Sequence, residues 1–232
     1  MLRFKRDLDA SYPHVWDRWE AYGKTWIIQD LPPEDDETAL QMMVEHWLPD
    51  EPLSFSAGIL DDPVSLECFK HMWRECLSQR MSLGCYTIVE GQKNLVGANV
   101  CMVMQKEDND NIQLEGKRAL NVYGVLLHLE SMADQYEHLG TEKVLDAFGL
   151  VVHRDYRGCR LGGRILAARE PLSKSIGVKG TVSMFTGPAS QKLAKNCGFT
   201  TISKATWSEL ADVGLDFPRE DKVVKYMIKK FK

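Results

Sequence analysis

The sequence has neither a Cys-x-x-Cys nor a His-x-x-x-His pair, although its 232 residues include six cysteines and six histidines. A zinc site built on such pairs is therefore not expected. There is no apolar run near the roughly 20 residues that a membrane-spanning helix requires. The opening stretch MLRFKRDLDASYPHVW lacks the continuous apolar core of an export signal. The cysteines, at 68, 76, 85, 101, 159 and 197, are accordingly expected to be reduced thiols of a cytoplasmic protein. A basic excess is also missing. The formal net charge is −4, which argues against a nucleic-acid partner, because such proteins concentrate positive charge on one face. No repeat, linker or low-complexity tail interrupts the chain, so residues 1–232 are expected to form one domain, with 1–24 as an N-terminal extension.

What is present is an ordinary globular composition, 44% hydrophobic and 27% charged. TWIIQDL (25–31) reads as a first strand, being rich in β-branched and aromatic residues. DDETALQMMVEHWL (35–48) sets Leu40, Met43, Val44 and Trp47 at helical spacing behind an acidic first turn, which suits the positive end of a helix dipole. In DPVSLECFKHMWRECLSQ (62–79), Asp62 is an N-cap, Pro63 takes the first helical position, and Phe69, Met72, Trp73 and Cys76 share one face. LGCYTIVE (83–90) and LVGANVCMVMQ (95–105), joined by GQKN, predict a central antiparallel hairpin. A helix over 122–139 ended by Gly140 follows, then KVLDAFGLVV (143–152), a strand apolar enough to be buried on both faces. The remaining expectations are a helix from about Gly158 to Ser175 kinked or ended by Pro171, a strand at 180–185, a short helix at 189–198 and a last strand at 222–231.

The junction VVHRDYRGCRLG (151–162) carries the first chemical signal. A strand that runs through a glycine-rich turn into a helix leaves backbone N–H groups where an anion can sit. HRDYRGCRLGGRIL resembles the acyl-CoA signature of the GNAT superfamily of N-acyltransferases, with Arg157 to Gly162 on its Arg/Gln-x-x-Gly-x-Gly/Ala core, and LAKNCGF resembles the helix and Gly-Phe that close that fold. DLPPEDDE (30–37) and HWLPDEPLS (46–54) are similar to segments of insect-type arylalkylamine and polyamine N-acetyltransferases, in matching order across roughly residues 25–231.

The resemblance implies an α/β fold with a mixed, mostly antiparallel seven-stranded sheet flanked by helices. It implies acetyl transfer from acetyl-CoA, without a metal, to a small primary amine of the arylalkylamine or polyamine type, in a monomer or weak dimer with no membrane partner. Leu150, Val151 and Val152 then lie along the coenzyme's pantetheine arm, and the Val152 amide faces the thioester oxygen. The amides of Gly158, Cys159, Arg160, Leu161, Gly162 and Gly163, with Arg157, cradle the pyrophosphate. The sequence departs from the family at Arg160, where the signature has its middle glycine, and at Ala194, where many relatives have a tyrosine that protonates the departing thiolate. Thr186 and Ser190 align with hydroxyls of relatives, Ser190 also beside the coenzyme.

Amide formation needs a base, because a primary amine is mostly ammonium at neutral pH. Glu34 aligns with the family's base and follows Pro32 and Pro33, which hold it in place. It ranks above Asp35, Glu37, His71, His128 and His153. Structural readings stand beside these roles. The four acids Glu34 to Glu37 favour a helix start, Ser190 caps a short helix, Thr186 is a turn residue, and Cys159 and Cys197 are packed thiols. Trp47, Leu48, Pro49, Pro52 and Phe55 are expected to wall an apolar amine site. An alternative of another class is a catalytically inert acyl-CoA sensor with the same fold; a nucleotide-binding oxidoreductase fits less well, since the glycine turn comes late and follows no βαβ alternation.

Overall fold

The structure is a computed structural model and describes residues 4–108 and 114–232. Eight strands form one sheet: β1 (Val15–Ala21), β2 (Lys24–Asp30), β3 (Leu83–Val89), β4 (Gln92–Gln105), β5 (Lys143–Val152), β6 (Gly180–Phe185), β7 (Thr200–Thr206) and β8 (Val223–Lys230). Their spatial order is β1-β2-β3-β4-β5-β6-β8-β7. Every neighbouring pair is antiparallel except β5 and β6, which run parallel. The α-helices among the described residues are α1 (Asp36–Met42), α2 (Pro52–Ala57), α3 (Pro63–Ser78), α4 (Lys117–Met132), α5 (Gln135–Leu139), α6 (Leu161–Ser175), α7 (Pro188–Asn196) and α8 (Trp207–Asp212). No helix among the described residues is long and apolar enough to cross a membrane.

Strand alternation divides the core between the two faces of the sheet. Ala98, Val100, Met102 and Met104 pack with α1, α3 and α4, around Trp73, Leu77, Val125 and Leu129. Cys101 and Val103, with Trp26, Ile28 and Leu83, pack on the other side against Leu161, Ile165 and Leu172 of α6.

The capping signals act as read. The Asp62 carboxylate accepts from the Val64 N–H with Pro63 in the first turn of α3, and Gly140 ends α5 in the left-handed conformation. Several expectations are corrected. The sheet has eight strands rather than seven, and β1 lies within the stretch read as an N-terminal extension. The hairpin turns tightly at Glu90 and Gly91, both at positive φ (51° and 80°), so β4 begins at Gln92. The helix expected over 122–139 is two helices, α4 starting earlier and α5 starting afresh from the Asp134 cap. α6 begins at Leu161 rather than Gly158, and Pro171 sits inside it without ending it.

Candidate active site

β5 and β6 pair only through Leu145↔Thr181 and Asp146↔Val182, and then part. The parting leaves one edge of β5 unpaired along Ala147 to Val152. The pleat decides which peptide groups face the gap. His153 donates its N–H to the Val96 carbonyl at 2.9 Å, and Val151 stands opposite Ala98. The peptides of Val151 and His153 therefore face β4, and those of Leu150 and Val152 face the gap. The Val152 carbonyl accepts from Arg157 Nε at 3.1 Å, while the Val152 N–H faces the gap.

The backbone of β5 is held irregular at this point. The Gly149 carbonyl accepts from Asn99 Nδ2 at 2.7 Å and the Phe148 carbonyl from Trp73 Nε1 at 2.9 Å. Gly149 has a φ of 136°, and a Cβ there would meet Trp47 at 3.2 Å and clash with the Met43 methyl. Met43 and Trp47 belong to a single π-helical turn, Met43–Trp47, that continues α1. Such turns re-aim side chains relative to a regular helix.

At the mouth of the gap stands the N-terminus of α6. Gly158 (φ 86°) and Arg160 (φ 58°) are both left-handed, and no side chain caps the helix. The first-turn N–H groups thus converge with no side-chain cap among the described residues, on a helix with no acidic residue in its first turn. Gly162 and Gly163 allow α6 to lie against Leu193, which a Cβ would meet at 3.4 and 3.3 Å.

A cavity of about 750 Å³ runs from this cradle along the gap. Of the residues singled out in the sequence, Leu150, Val151, Val152, Arg157, Gly158, Arg160, Leu161, Gly162, Gly163, Thr186 and Ser190 line it. Two expected residues do not. Cys159 turns toward the core beneath α6. Glu34 is exposed on the 3₁₀ turn before α1 and is absent from the cavity wall. Of the expected amine-site wall, Trp47 and Pro52 line the cavity, whereas Leu48 is core and Phe55 is 71% exposed. Phe69, Met72, Val122, Tyr123 and Leu126 complete the apolar wall. Ser190 Oγ donates to the Gly187 carbonyl at 2.9 Å, so it also holds its own turn.

The Arg157 side chain is used structurally. It donates to Asp50 Oδ2 at 2.6 Å and to the His46 carbonyl at 2.8 Å, while Arg154 donates to Asp50 Oδ1 at 3.1 Å. Burial pushes the Asp50 carboxyl up, but its bonds to Arg157 and Arg154 outweigh this and hold it below the usual carboxylate range. Pro52 lies beside Gly187, whose Cβ would stand 3.5 Å from it. Residues 46–52 thus bridge the ends of β5 and β6.

His46, Asp50, Asp146 and Arg169 line the cavity without having been singled out in the sequence. His71, His128 and His153 do not line it. The His46 ring lies 4.2 Å from that of His153, its Nδ1 is buried without a partner, and burial together with the charge of His153 lowers its pKa. Asp146 and Arg169 had a visible signal, a charge inside the apolar runs KVLDAFGLVV and RILAAREPL. His46 and Asp50 lie in the segment HWLPDEPLS that carries the family resemblance, but nothing local marks these two side chains, because only tertiary packing brings them to the cavity.

An open, mostly antiparallel sheet that parts between two parallel central strands, with an uncapped helix N-terminus at the opening, is the GNAT fold. The chain is similar throughout its length to a solved arylalkylamine N-acetyltransferase of the insect type, described as putative arylalkylamine N-acetyltransferase 7 of the yellow fever mosquito. The TM-score is 0.90 at 29% identity, covering 98% of this chain and 99% of the other. A mosquito arylalkylamine N-acetyltransferase like 5b aligns with a TM-score of 0.74 at 23% identity, over 89% of this chain and 100% of that one. The polyamine N-acetyltransferase of Drosophila melanogaster, which forms N-acetylagmatine, aligns with 0.74 at 16% identity over the same shares. No family model and no curated protein sequence matches the chain.

Proposed function

We propose that this chain transfers the acetyl group of acetyl-CoA to a small primary amine. The observation that carries this reading is the gap between β5 and β6 with the uncapped end of α6 at its mouth. Together they present inward-facing strand amides and a cluster of unpaired helix N–H groups, which suit an extended amide-bearing arm that ends in a pyrophosphate. Acetyl-CoA, when bound, supplies the acetyl group as a thioester. The amides of Leu161, Gly162 and Gly163 hold the phosphates, with Arg160 beside them. The Val152 N–H stabilises negative charge developing on the thioester oxygen, and Thr186 and Ser190 stand where the thiolate departs.

The acceptor binds between Trp47, Phe69, Met72 and Tyr123, whose apolar surfaces suit an arylalkylamine body. Asp146, 5% exposed at the cavity's inner end, offers a carboxylate to the ammonium. Similarity to the mosquito protein over the whole chain supports this amine class. Glu34 accepts the ammonium proton through water, from its place outside the cavity wall. A second reading of the base has a specific observation behind it: His46 lines the cavity and is kept neutral by burial, hence able to take a proton.

The test is a panel of aromatic, aliphatic and polyamine acceptors with acetyl-CoA, followed by thiol release. Glu34→Gln is expected to lower kcat on the order of 10² to 10⁴-fold, with the loss shrinking as assay pH nears the amine's own pKa, and to leave the melting temperature unchanged. Full turnover by Glu34→Gln together with loss in His46→Gln would move the base to His46. Acetyl-CoA binding without turnover of any acceptor would favour the inert sensor.

A further inference from the structure

Arg169 is 2% exposed, yet its side chain lines the cavity. It lies two turns into α6, about 12 Å along the axis from the helix N-terminus. Its hydrogen bonds all go to neutral groups: Nε to Asn99 Oδ1 at 2.7 Å, and Nη1 to Ser183 Oγ at 2.9 Å and Thr181 Oγ1 at 3.4 Å. Among the described residues Nη2 makes no hydrogen bond, and no carboxylate stands within ion-pair distance of the guanidinium. Asp146 acts on it only through space. Strand alternation explains why. Val144 packs on the α3 and α4 side and Leu145 on the α6 side, so Asp146 points away from α6. A buried cation without an ion partner is costly to fold around, which makes its place beside a cavity informative.

The register fixes its depth. Asn99 stands opposite Leu150, and Ser183 follows the last β5–β6 pair, Asp146↔Val182. The guanidinium therefore spans Ala147 to Leu150, the stretch just deeper than the amides of Leu150 and Val152. With the pyrophosphate at the α6 cradle and the thioester at those amides, an acyl chain points away from the cradle, toward Arg169. Each strand residue advances about 3.3 Å, so one to three further carbons reach the guanidinium's level.

We propose that Arg169 makes the acyl site select donors whose chain ends in a carboxylate, namely CoA thioesters of three- or four-carbon dicarboxylic acids, in addition to acetyl-CoA. This rests on the acyl-CoA reading of the site and specifies its donor. In the transfer, the amine gives up its proton to the base, its nitrogen bonds the thioester carbon, and the C–S bond breaks to release the thiolate. The distal carboxylate is unchanged and stays on the guanidinium, the fork-to-carboxylate geometry in which arginine binds best.

The experiment is calorimetric titration of the full chain, without amine, with acetyl-CoA, malonyl-CoA and isovaleryl-CoA. The last matches malonyl-CoA in shape but carries two methyl groups in place of the carboxylate oxygens. The wild type is expected to bind malonyl-CoA at least 10-fold more tightly than isovaleryl-CoA, and Arg169→Met to abolish or reverse that ratio. Thiol release with the same donors should follow the same order. If Arg169→Met does not fold, Ser183→Ala, which frees one side of the guanidinium, should still alter the ratio, and the wild-type preference decides alone. Wild-type protein that binds acetyl-CoA but prefers isovaleryl-CoA, or shows no preference, overturns the inference and leaves acetyl transfer standing. Failure to bind any CoA thioester overturns both.

Discussion

Arg160 shows at single-residue scale how a departure from a motif is tolerated. The cradle needs a left-handed residue just before α6, and Arg160 adopts it at φ 58°, where glycine would pass without strain. The strain is about 1 kcal/mol, small beside the stability of a domain. Arg160 is exposed and lines the cavity, so the position adds a cation to the mouth of the proposed phosphate cradle. Arg160→Glu should therefore weaken acetyl-CoA binding more than Arg160→Ala, because the new carboxylate faces the phosphates. Equal dissociation constants for the two variants would show that the side chain points away. Cys197 needs no such account. It is a thiol whose Sγ lies 3.7 Å from the Gly163 carbonyl and whose pKa burial raises, the behaviour of a packed group and not of a nucleophile.

At the scale of elements, β1 and α6 depend on one another. Arg164 of α6 bonds Asp17 at 2.8 Å and lies over the Trp19 ring at 4.3 Å, so the N-terminal strand braces the helix that carries the cradle. The approach to β1 is tied down by Asp30, whose buried carboxylate accepts from Arg6 Nη1 at 2.8 Å, the His14 N–H at 2.9 Å and Trp16 Nε1 at 2.8 Å. Asp30→Ala removes the carboxylate that these three donors share and should cost about 3 kcal/mol, read as a lower urea midpoint with faster proteolysis ahead of β2. The π turn and β5 form a second dependent pair. Gly149→Ala sets a Cβ against Met43 and Trp47 at a backbone angle that side chains avoid, so it should cost about 1 to 3 kcal/mol and lower acetyl transfer by displacing the strand that presents Val152.

For the whole molecule, the bridge of residues 46–52 ties stability to pH. Burial, and then the neighbouring charge of His153, hold the His46 imidazole below the ordinary histidine range in the folded state. The unfolded chain thus binds this proton more readily than the folded one, so stability rises with pH across that interval and is lost as pH falls below about 6.5. Urea midpoints measured between pH 7.5 and 5.5 should fall for the wild type and fall less for His46→Phe. Parallel slopes for the two would show that His46 does not carry the effect. Asp50 titrates in a separate window. Its carboxyl is depressed by Arg157 and Arg154, so the clamp holds at neutral pH and is released only as pH drops through that lowered pKa.

Local chemistry alone made α3, the hairpin of β3 and β4, the strand β5 and the cradle turn readable, because caps, glycines and apolar periodicity act over a few residues. The edge strands β1 and β7 escaped, since their mixed exposure lacks the alternation of a half-buried strand. α2, only six residues long, gave too little periodicity to be seen. The strand-to-helix turn at Arg157 to Gly163 was legible for the same local reason, but where its side chains go depended on partners far along the chain. Arg157 turns to Asp50 and His46, 107 and 111 residues away, and Arg169 to Asn99, 70 residues away. Glu34 aligns with the family's base, yet its turn is exposed and outside the cavity wall, because two prolines set local direction and say nothing of what packs above it. Backbone preference is a property of neighbouring residues, and the sequence determines it directly. The wall of a cavity is chosen by which strands part and which helices cover the gap, and only the tertiary structure decided that.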